Sequence, residues 1–361
     1  MKKNVIKKML SAALISVLSL SLLTGCGAGK AATPSSDSPS SEVEETESAE
    51  DTEKTSADGE KVIRVANFGT AIWNDQFLVA YQNGIYDEIF KDDNVKIEVI
   101  NFENGPAANE AFIAGEIDIV NGIGDQPIVI GMGNNVETTI LTGTAKQAQN
   151  IGIVVKKDSG IEKVEDLKGK KVGVFFGTYV HKSLIGLLSD AGITEDDVEI
   201  VNITSTSDAD AAFESGDIDA YLSMSAYHIY TNVESGNYVK IADCSNHPAF
   251  AYIVAANKFI EENPDLVEKF LEGLYKAEQW INENKEESYK VISEFSGLEV
   301  DQVKHTIEDA DCTIIWDDAY ESNLQATYDF LKAHDMITND LTNEQILDHV
   351  DTSFVKKVTG K

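Results

Sequence analysis

Ala111-Phe112-Ile113-Ala114-Gly115-Glu116-Ile117-Asp118 is matched, 101 residues later, by Ala212-Phe213-Glu214-Ser215-Gly216-Asp217-Ile218-Asp219. In both octets a helix should end just after Ala-Phe. Glycine then takes the left-handed position beyond the helix, and Ile-Asp opens a strand. Working outward, Val62-Ile63-Arg64-Val65-Ala66 leads into Phe68-Gly69-Thr70, and Lys171-Val172-Gly173-Val174-Phe175 leads into Phe176-Gly177-Thr178. Val95-Lys96-Ile97-Glu98-Val99-Ile100-Asn101 has its counterpart in Val198-Glu199-Ile200-Val201-Asn202. Three matches in the same order predict two related βαβ units, each a lobe. Strand-like runs alternate with amphipathic helices throughout, which predicts α/β layers over parallel sheets.

In each unit Phe-Gly-Thr lies between the first strand and the next helix. Ligands of open parallel sheets bind outside the carboxyl ends of strands, where such loops lie. Thr70 and Thr178 are candidate helix caps, and the helix starts beside them present free backbone N–H groups. Two lobes facing each other with these loops would enclose a cleft. Ile151-Gly152-Ile153-Val154-Val155 and Ala251-Tyr252-Ile253-Val254-Ala255-Ala256 read as the two crossover strands. Asn263-Pro264-Asp265 starts a helix by N-cap and proline, with Leu266, Val267, Phe270, Leu271, Leu274 and Ile281 on its apolar face and Trp280 near that face as core. The remainder reads as helical, with strand-like Thr313-Ile314-Ile315-Trp316 in its middle.

The chain has 361 residues, 62 acids against 29 bases and a net charge of −33. Such an acidic chain does not suit a phosphate backbone, so nucleic acid is excluded as a partner. At 42% hydrophobic residues it can bury substantial cores. The charge is unevenly spread. Residues 1–25 contain Lys2, Lys3, Lys7 and Lys8 and no acid, followed by an apolar run from Met9 to Leu23 that is too short for a membrane span of about 20 residues. That is a secretory signal. The run ends in Leu23-Thr24-Gly25-Cys26, which resembles a bacterial lipobox and implies a diacylglycerol thioether on Cys26. From Gly27 to Glu60, ten acids against Lys30 and Lys54 give −8, and almost no large apolar residue is present. This stretch reads as a solvated tether reaching about 30 Å. Residues 61–361 then carry −29. The expected division is a signal over 1–25, a lipidated cysteine and acidic tether over 26–60, lobe 1 over 61–150 plus 251–361, and lobe 2 over 151–250. Cys244 and Cys312 are as readily two buried thiols as a disulfide.

A search for catalytic motifs returns negatives. Gly169-Lys170-Lys171 lacks the upstream glycine and following Ser/Thr of a phosphate loop, and Pro127 breaks the Gly122-Ile123-Gly124 dinucleotide pattern. No Gly-x-Ser-x-Gly elbow occurs. The six histidines lack zinc spacing, and Asp208-Ala209-Asp210 runs into Ala212 and Phe213 where a calcium loop needs a ligand and glycine. No catalytic residue, metal or cofactor is assigned.

Ser159-Gly160-Ile161-Glu162-Lys163-Val164-Glu165-Asp166-Leu167-Lys168-Gly169-Lys170-Lys171-Val172-Gly173-Val174 resembles the opening of lobe 2 in sulfonate/nitrate/taurine-type substrate-binding proteins of ABC importers. Gly177-Thr178-Tyr179-Val180-His181 continues the likeness. Gly115-Glu116-Ile117-Asp118 with Gly124-Asp125-Gln126-Pro127, Gly216-Asp217-Ile218-Asp219-Ala220 and Ile346–Phe354 extend it over about 61–355. The resemblance implies an α/β, two-lobed type II periplasmic-binding-protein fold with a hinge and an interlobe ligand cleft. It further implies a monomeric, lipid-anchored receptor on the extracytoplasmic side of the membrane, delivering a small solute to permease subunits driven by a cytoplasmic ATPase.

Carried over residue by residue, the family's cleft loops correspond to Phe68, Thr70 and Trp73; Gly124, Asp125 and Gln126; Thr178, Tyr179 and His181; and Met224, Ser225 and Tyr227. Phe68, Trp73, Tyr179 and Tyr227 would be walls, or equally core. Thr70, Gln126, Thr178 and Ser225 would hydrogen-bond polar atoms. Asp125 suits either an amine or a local turn, and His181 either the cleft or solvent. Met224 and Ala226 stand where the family often has Trp and Pro. Arg64, the one arginine of the chain, lies inside the first strand, so no guanidinium clamp for a sulfonate is expected. An anion would rely on helix N-termini, hydroxyls, Lys146 or Lys182, which makes small nitrogen compounds comparable candidates. Two other classes stand beside this reading. One is an enzyme of the pyrimidine-precursor synthase type on the same fold, whose cysteine-rich iron motif this chain lacks. The other is a sensor whose loaded form contacts a signalling receptor.

Overall fold

The structure is a computed structural model describing residues 60–68, 75–308 and 310–360. The signal, Cys26, the tether, Thr70 and Trp73 lie outside the described residues. The strands are β1 (Lys61–Asn67), β2 (Val95–Asn101), β3 (Ile119–Gly124), β4 (Thr138–Gln147), β5 (Gly152–Lys156), β6 (Lys171–Val174), β7 (Glu199–Asn202), β8 (Ala220–Ser223), β9 (Tyr238–Asp243), β10 (Ala249–Ala256) and β11 (Ala310–Asp311). They form two sheets, ordered β11-β4-β10-β3-β1-β2 and β7-β6-β8-β5-β9. The chain leaves the first sheet after Gln147, enters the second at Gly152, and returns between Asp243 and Ala249.

The repeat is visible in the topology. In the first sheet β1 is parallel to β2 and β3, with antiparallel β10 beyond β3. In the second, β6 is parallel to β7 and β8, with antiparallel β5 beyond β8. The sheets are therefore mixed rather than purely parallel, because the strand entering each sheet by crossover runs against its neighbours. The octets act alike. Gly115 and Gly216 both take left-handed backbone, at φ 65° and 82°. Asp118 Oδ2 accepts from the backbone N–H of Arg64 (2.7 Å), and Asp219 Oδ2 accepts from that of Lys171 (2.9 Å). Each carboxylate satisfies the N–H one residue before its strand begins to pair with the unit's third strand, at Val65–Ile119 and Val172–Ala220, which explains why the pattern needs an acid there.

The helices are α1 (Asp75–Gln82), α2 (Ile85–Ile89), α3 (Gly105–Ile113), α4 (Asp125–Gly133), α5 (Tyr179–Asp190), α6 (Thr206–Ser215), α7 (Ala226–Glu234), α8 (Asn257–Glu262), α9 (Pro264–Glu283), α10 (Lys285–Ser296), α11 (Val300–Glu308), α12 (Asp318–Ala333), α13 (Asn343–Leu347) and α14 (Ser353–Thr359). Two apolar clusters cover the first sheet. One is built on Ile63, Val65, Phe77, Phe270 and Leu274, the other on Val120, Ile123, Tyr252 and Leu324. A third cluster, with Val172, Leu184, Phe213 and Tyr221, serves the second sheet.

Two local expectations are corrected. Thr313–Trp316 is not a strand: Ile315 makes an isolated antiparallel bridge to Gly143, and the strand at this edge is β11. Asn263 stands at the N-cap of α9 without capping it by side chain, and its Oδ1 accepts from Lys61 Nζ at 3.3 Å instead.

Candidate functional site

Where the carboxyl ends of β1, β2, β3, β6, β7 and β8 meet, the two sheets enclose a cavity of about 320 Å³. One wall holds Phe68, Asn101, Phe102, Asn104, Gly105 and Gly124. The opposite wall holds Thr178, Tyr179, Thr206, Met224, Ser225 and Tyr227. Gln147 and Asn150 line it where the chain crosses between sheets, and Thr306, Ile307, Ala310 and Cys312 close another side.

The chain builds this place by starting helices there. Gly124, Thr178 and Ser225 are the N-caps of α4, α5 and α7, while Gly105 and Thr206 are the first residues of α3 and α6. Five helix starts therefore border one cavity, and each leaves backbone N–H groups without intrahelical acceptors. Asn104 Oδ1 caps α3 through the N–H of Ala107 (3.1 Å), and Ser225 Oγ caps α7 through that of His228 (3.2 Å). Thr178 occupies the cap position of α5, but its hydroxyl donates to the Phe175 carbonyl at 2.7 Å and caps nothing. Among the described lining residues Glu103 is the one carboxylate, and no lysine or arginine is present. The potential for an anion therefore comes from backbone dipoles and hydroxyls.

Tyr179 has its hydroxyl anchored in its own wall, and its ring reaches the other. Its Oη donates to the Met224 carbonyl at 3.4 Å, and burial holds the phenol well above its ordinary pKa. A Cβ added at Gly124 would meet the Tyr179 ring at 2.9 Å, so glycine lets the ring lie on the facing backbone. Tyr227, on α7, packs against an apolar cluster of the first sheet.

The NMT1/THI5 like family matches residues 76–288, more than half of the chain. The chain belongs to that family. A Bacillus subtilis (strain 168) relative, provisionally named an aliphatic sulfonates-binding protein, is 25% identical over 283 residues, covering 78% of this chain and 83% of that protein. The taurine-binding periplasmic protein of Escherichia coli (strain K12) is 28% identical over 193 residues, 52% of this chain and 58% of that one. Among solved structures, the alkanesulfonate-binding protein SsuA from Xanthomonas axonopodis pv. citri, bound to MOPS, superposes with a TM-score of 0.70 at 20% identity. That likeness covers 80% of this chain and 98% of the other, and it establishes the two-lobed periplasmic-binding-protein fold.

In this NMT1/THI5-like chain, Phe68, Gly124, Thr178, Tyr179, Met224, Ser225 and Tyr227 of the expected set line the cavity. Asp125, Gln126 and His181 do not. Asp125 is fully buried: its Oδ1 accepts from the N–H of Gln126 (2.8 Å), and its Oδ2 receives Lys182 Nζ at 2.5 Å. It thus holds both a local turn and an amine, the amine being the chain's own. The Gln126 side chain is also fully buried, and both its polar atoms lack hydrogen-bond partners among the described residues. His181 stacks on Phe176 with ring centroids 4.5 Å apart and meets Phe330 edge-on at 5.3 Å. Burial, then the nearby His334, lowers its pKa to about 4. Arg64 is held by Asp118 and the Gly115 carbonyl, far down its strand from the cavity. Lys146 does not line the cavity either.

Sequence reasoning missed Asn101, Phe102, Asn104 and Gly105, although Asn104-Gly105-Pro106 carries an N-cap and proline signature that marks a helix start after β2. It also missed Gln147, Asn150, Thr306, Ile307 and Cys312. These come from crossing segments and the C-terminal helices, and no local motif marks them.

Proposed function

We propose that this chain is the solute receptor of an ABC importer. It is held outside the membrane by lipid on Cys26, and it captures a small organic solute between its lobes for delivery to a permease. One observation carries the reading: a single cavity of about 320 Å³, walled by the carboxyl ends of strands from both sheets. A ligand touching both walls favours the arrangement in which they are close, and closure is what a permease can recognise. The relatives named for sulfonate and taurine binding support that class of solute.

The proposed contacts divide by chemistry. Phe68, Trp73, Tyr179 and Tyr227 supply apolar walls. Thr70, Ser225 and the N–H groups at helix starts bind polar or anionic oxygens, with Thr178 and Met224 shaping the wall between them. A sulfonate, a taurine-like zwitterion or a small nitrogen compound fits this set. Gln126, Asp125 and His181 act behind the walls.

The deciding experiment is a thermal-shift series on the mature chain with taurine, ethanesulfonate, nitrate, amino acids and pyrimidines. At a hundredfold excess over Kd, a ligand adds about 2.7 kcal/mol of stability. Failure of every solute to raise the melting temperature would remove the proposal. The anchor is tested separately. Cys26→Ser should lose the diacylglycerol mass and free the chain from the membrane fraction.

A further inference from the structure

Lys182 reaches from α5, in the second-sheet lobe, into a socket built wholly by the first-sheet lobe. Its Nζ lies 2.5 Å from Asp125 Oδ2, 2.7 Å from Asn323 Oδ1 and 2.6 Å from Thr327 Oγ1. An ammonium carries three protons, and three acceptors meet them. The socket is organised without Lys182. Asp125 Oδ1 is held by the N–H of Gln126, Oδ2 accepts from Asn323 Nδ2 (2.9 Å) and Thr327 Oγ1 (2.8 Å), and Asn323 Nδ2 also reaches Tyr252 Oη at 3.0 Å. The Asp125 side chain is fully buried, and that of Lys182 is 18% exposed.

We infer that Lys182 is a positioning residue for ligand capture: seating its ammonium in the Asp125–Asn323–Thr327 socket sets the fraction of molecules whose lobes are closed. The inference rests on the solute-receptor reading for its effect on affinity, but not for its effect on shape. Separating the lobes would leave a buried carboxylate without its counter-charge, a costly state unless water follows. The latch also adjoins the cavity on both sides. Tyr179 and Lys182 are three residues apart on α5, so one face of one helix presents the ring to the cavity and the ammonium to the socket. On the other side Gly124 meets that ring while Asp125, the next residue, meets the ammonium. Ligand contact and ion pair are thus made by the same approach of the two walls. Because a receptor binds in proportion to its competent fraction, loss of the latch weakens all ligands alike.

The test uses the mature chain with Lys182→Met, Lys182→Arg and Asp125→Asn, with taurine and ethanesulfonate as probes. Lys182→Met should weaken both probes by one common factor, about tenfold or more. It should also speed dissociation and give a larger radius of gyration by small-angle X-ray scattering, with unchanged far-UV dichroism. Lys182→Arg should recover part of the affinity, and Asp125→Asn should reproduce the larger radius of gyration. Wild-type scattering and affinity in folded Lys182→Met would overturn the inference. So would a loss confined to one probe, which would make Lys182 a ligand contact. If Lys182→Met does not fold, Thr327→Val, which removes one socket acceptor, takes its place with the same expectations. If neither probe binds the wild type, the solute reading is what fails for these ligands. The scattering comparison then decides the latch by itself.

Discussion

Asp118 in the first sheet and Asp219 in the second stand at matching places, and each takes the backbone N–H of a residue on its sheet's first repeated strand. Their surroundings differ. Arg64 turns its guanidinium back onto Asp118, with Nε at 2.9 Å and Nη2 on the other oxygen, and extends Nη1 to the Gly115 carbonyl at 2.5 Å. Lys171 points outward instead, toward Glu199 at 3.8 Å in solvent. The next loops diverge in the same manner. The N-caps that follow, Gly124 at the end of β3 and Ser225 after β8, both line the cavity, but one brings only backbone and the other a hydroxyl. Repetition has kept the backbone hydrogen bonds of the unit, while the side chains at equivalent positions do different work. The one arginine of the chain is spent on strand geometry, which is why the cavity has no guanidinium.

The largest expected effect tests the first contrast. Asp118→Ala leaves a half-buried guanidinium and a strand N–H without their acceptor, and should cost about 3 kcal/mol. Asp219→Ala removes a backbone hydrogen bond at a partly exposed site and should cost about 1 kcal/mol. Urea denaturation of the two variants measures both values. Equal losses would mean that the guanidinium adds nothing to the first sheet.

Acid offers the second test, where α5 packs on the end of α12. His181 has a folded pKa of about 4 against 6.5 when exposed, so between those values the unfolded chain binds a proton that the folded chain refuses. Stability attributable to its neutral form is intact above pH 6.5 and falls as pH drops, by about 2 kcal/mol at pH 5. His334 opposes this. Burial disfavours its charged form, but the Phe330 carbonyl and Glu195, 2.6 Å from Nε2, outweigh that and raise its pKa. Its contribution is full at low pH and is lost as pH rises through the folded value. His181→Phe keeps a ring between Phe176 and Phe330 and removes Nδ1, which has no hydrogen-bond partner. The variant should therefore gain more stability at pH 5 than at pH 7.5. Ligand affinity at pH 7.5 should not change, and a changed affinity would return His181 to the cleft.

Gly124 tests whether the walls must touch. The methyl of Gly124→Ala would lie 2.9 Å from the Tyr179 ring, and the backbone there, at φ −71°, accepts any residue. The cost should therefore fall on closure, with affinity lowered about tenfold and the melting temperature nearly unchanged. In Tyr179→Ala the obstacle disappears along with the wall. Adding Gly124→Ala to that variant should then weaken binding little further.

The octets, the Phe-Gly-Thr loops and Asn263-Pro264 made the two-sheet architecture legible, because each is a short-range device: a left-handed glycine, a strand-to-helix turn, a helix start. The part of the site built by those devices was legible too, which is why Gly124, Tyr179 and Ser225 are found in the cavity wall. Asp125 and His181 lie beside that wall in the sequence but face away from it. A helix changes direction by about 100° per residue, and the neighbours that claimed them come from elsewhere in the chain. Lys182, Asn323 and Thr327 for Asp125, and Phe330 for His181, are contributed by α5 and α12. Thr306, Ile307 and Cys312 were hidden for the same reason. Their position depends on how the C-terminal helices return to the first sheet, and no local pattern encodes that.

The smallest effect separates two roles of one hydroxyl. Ser225 Oγ caps α7 through the N–H of His228 and also lines the cavity. Replacing an N-cap serine by alanine costs about 1 kcal/mol, whereas glycine costs a few tenths, since it leaves the cap position open to water. Ser225→Ala should therefore lose both stability and affinity, and Ser225→Gly should lose affinity at nearly wild-type stability. Asp125→Asn is the contrasting case, because it removes no cavity-lining group and should weaken binding only through the socket. Equal affinity in wild type and Ser225→Gly would reduce this serine to a helix cap. Neither of the repeat's equivalent N-caps, Gly124 or Ser225, would then offer the ligand a side-chain contact.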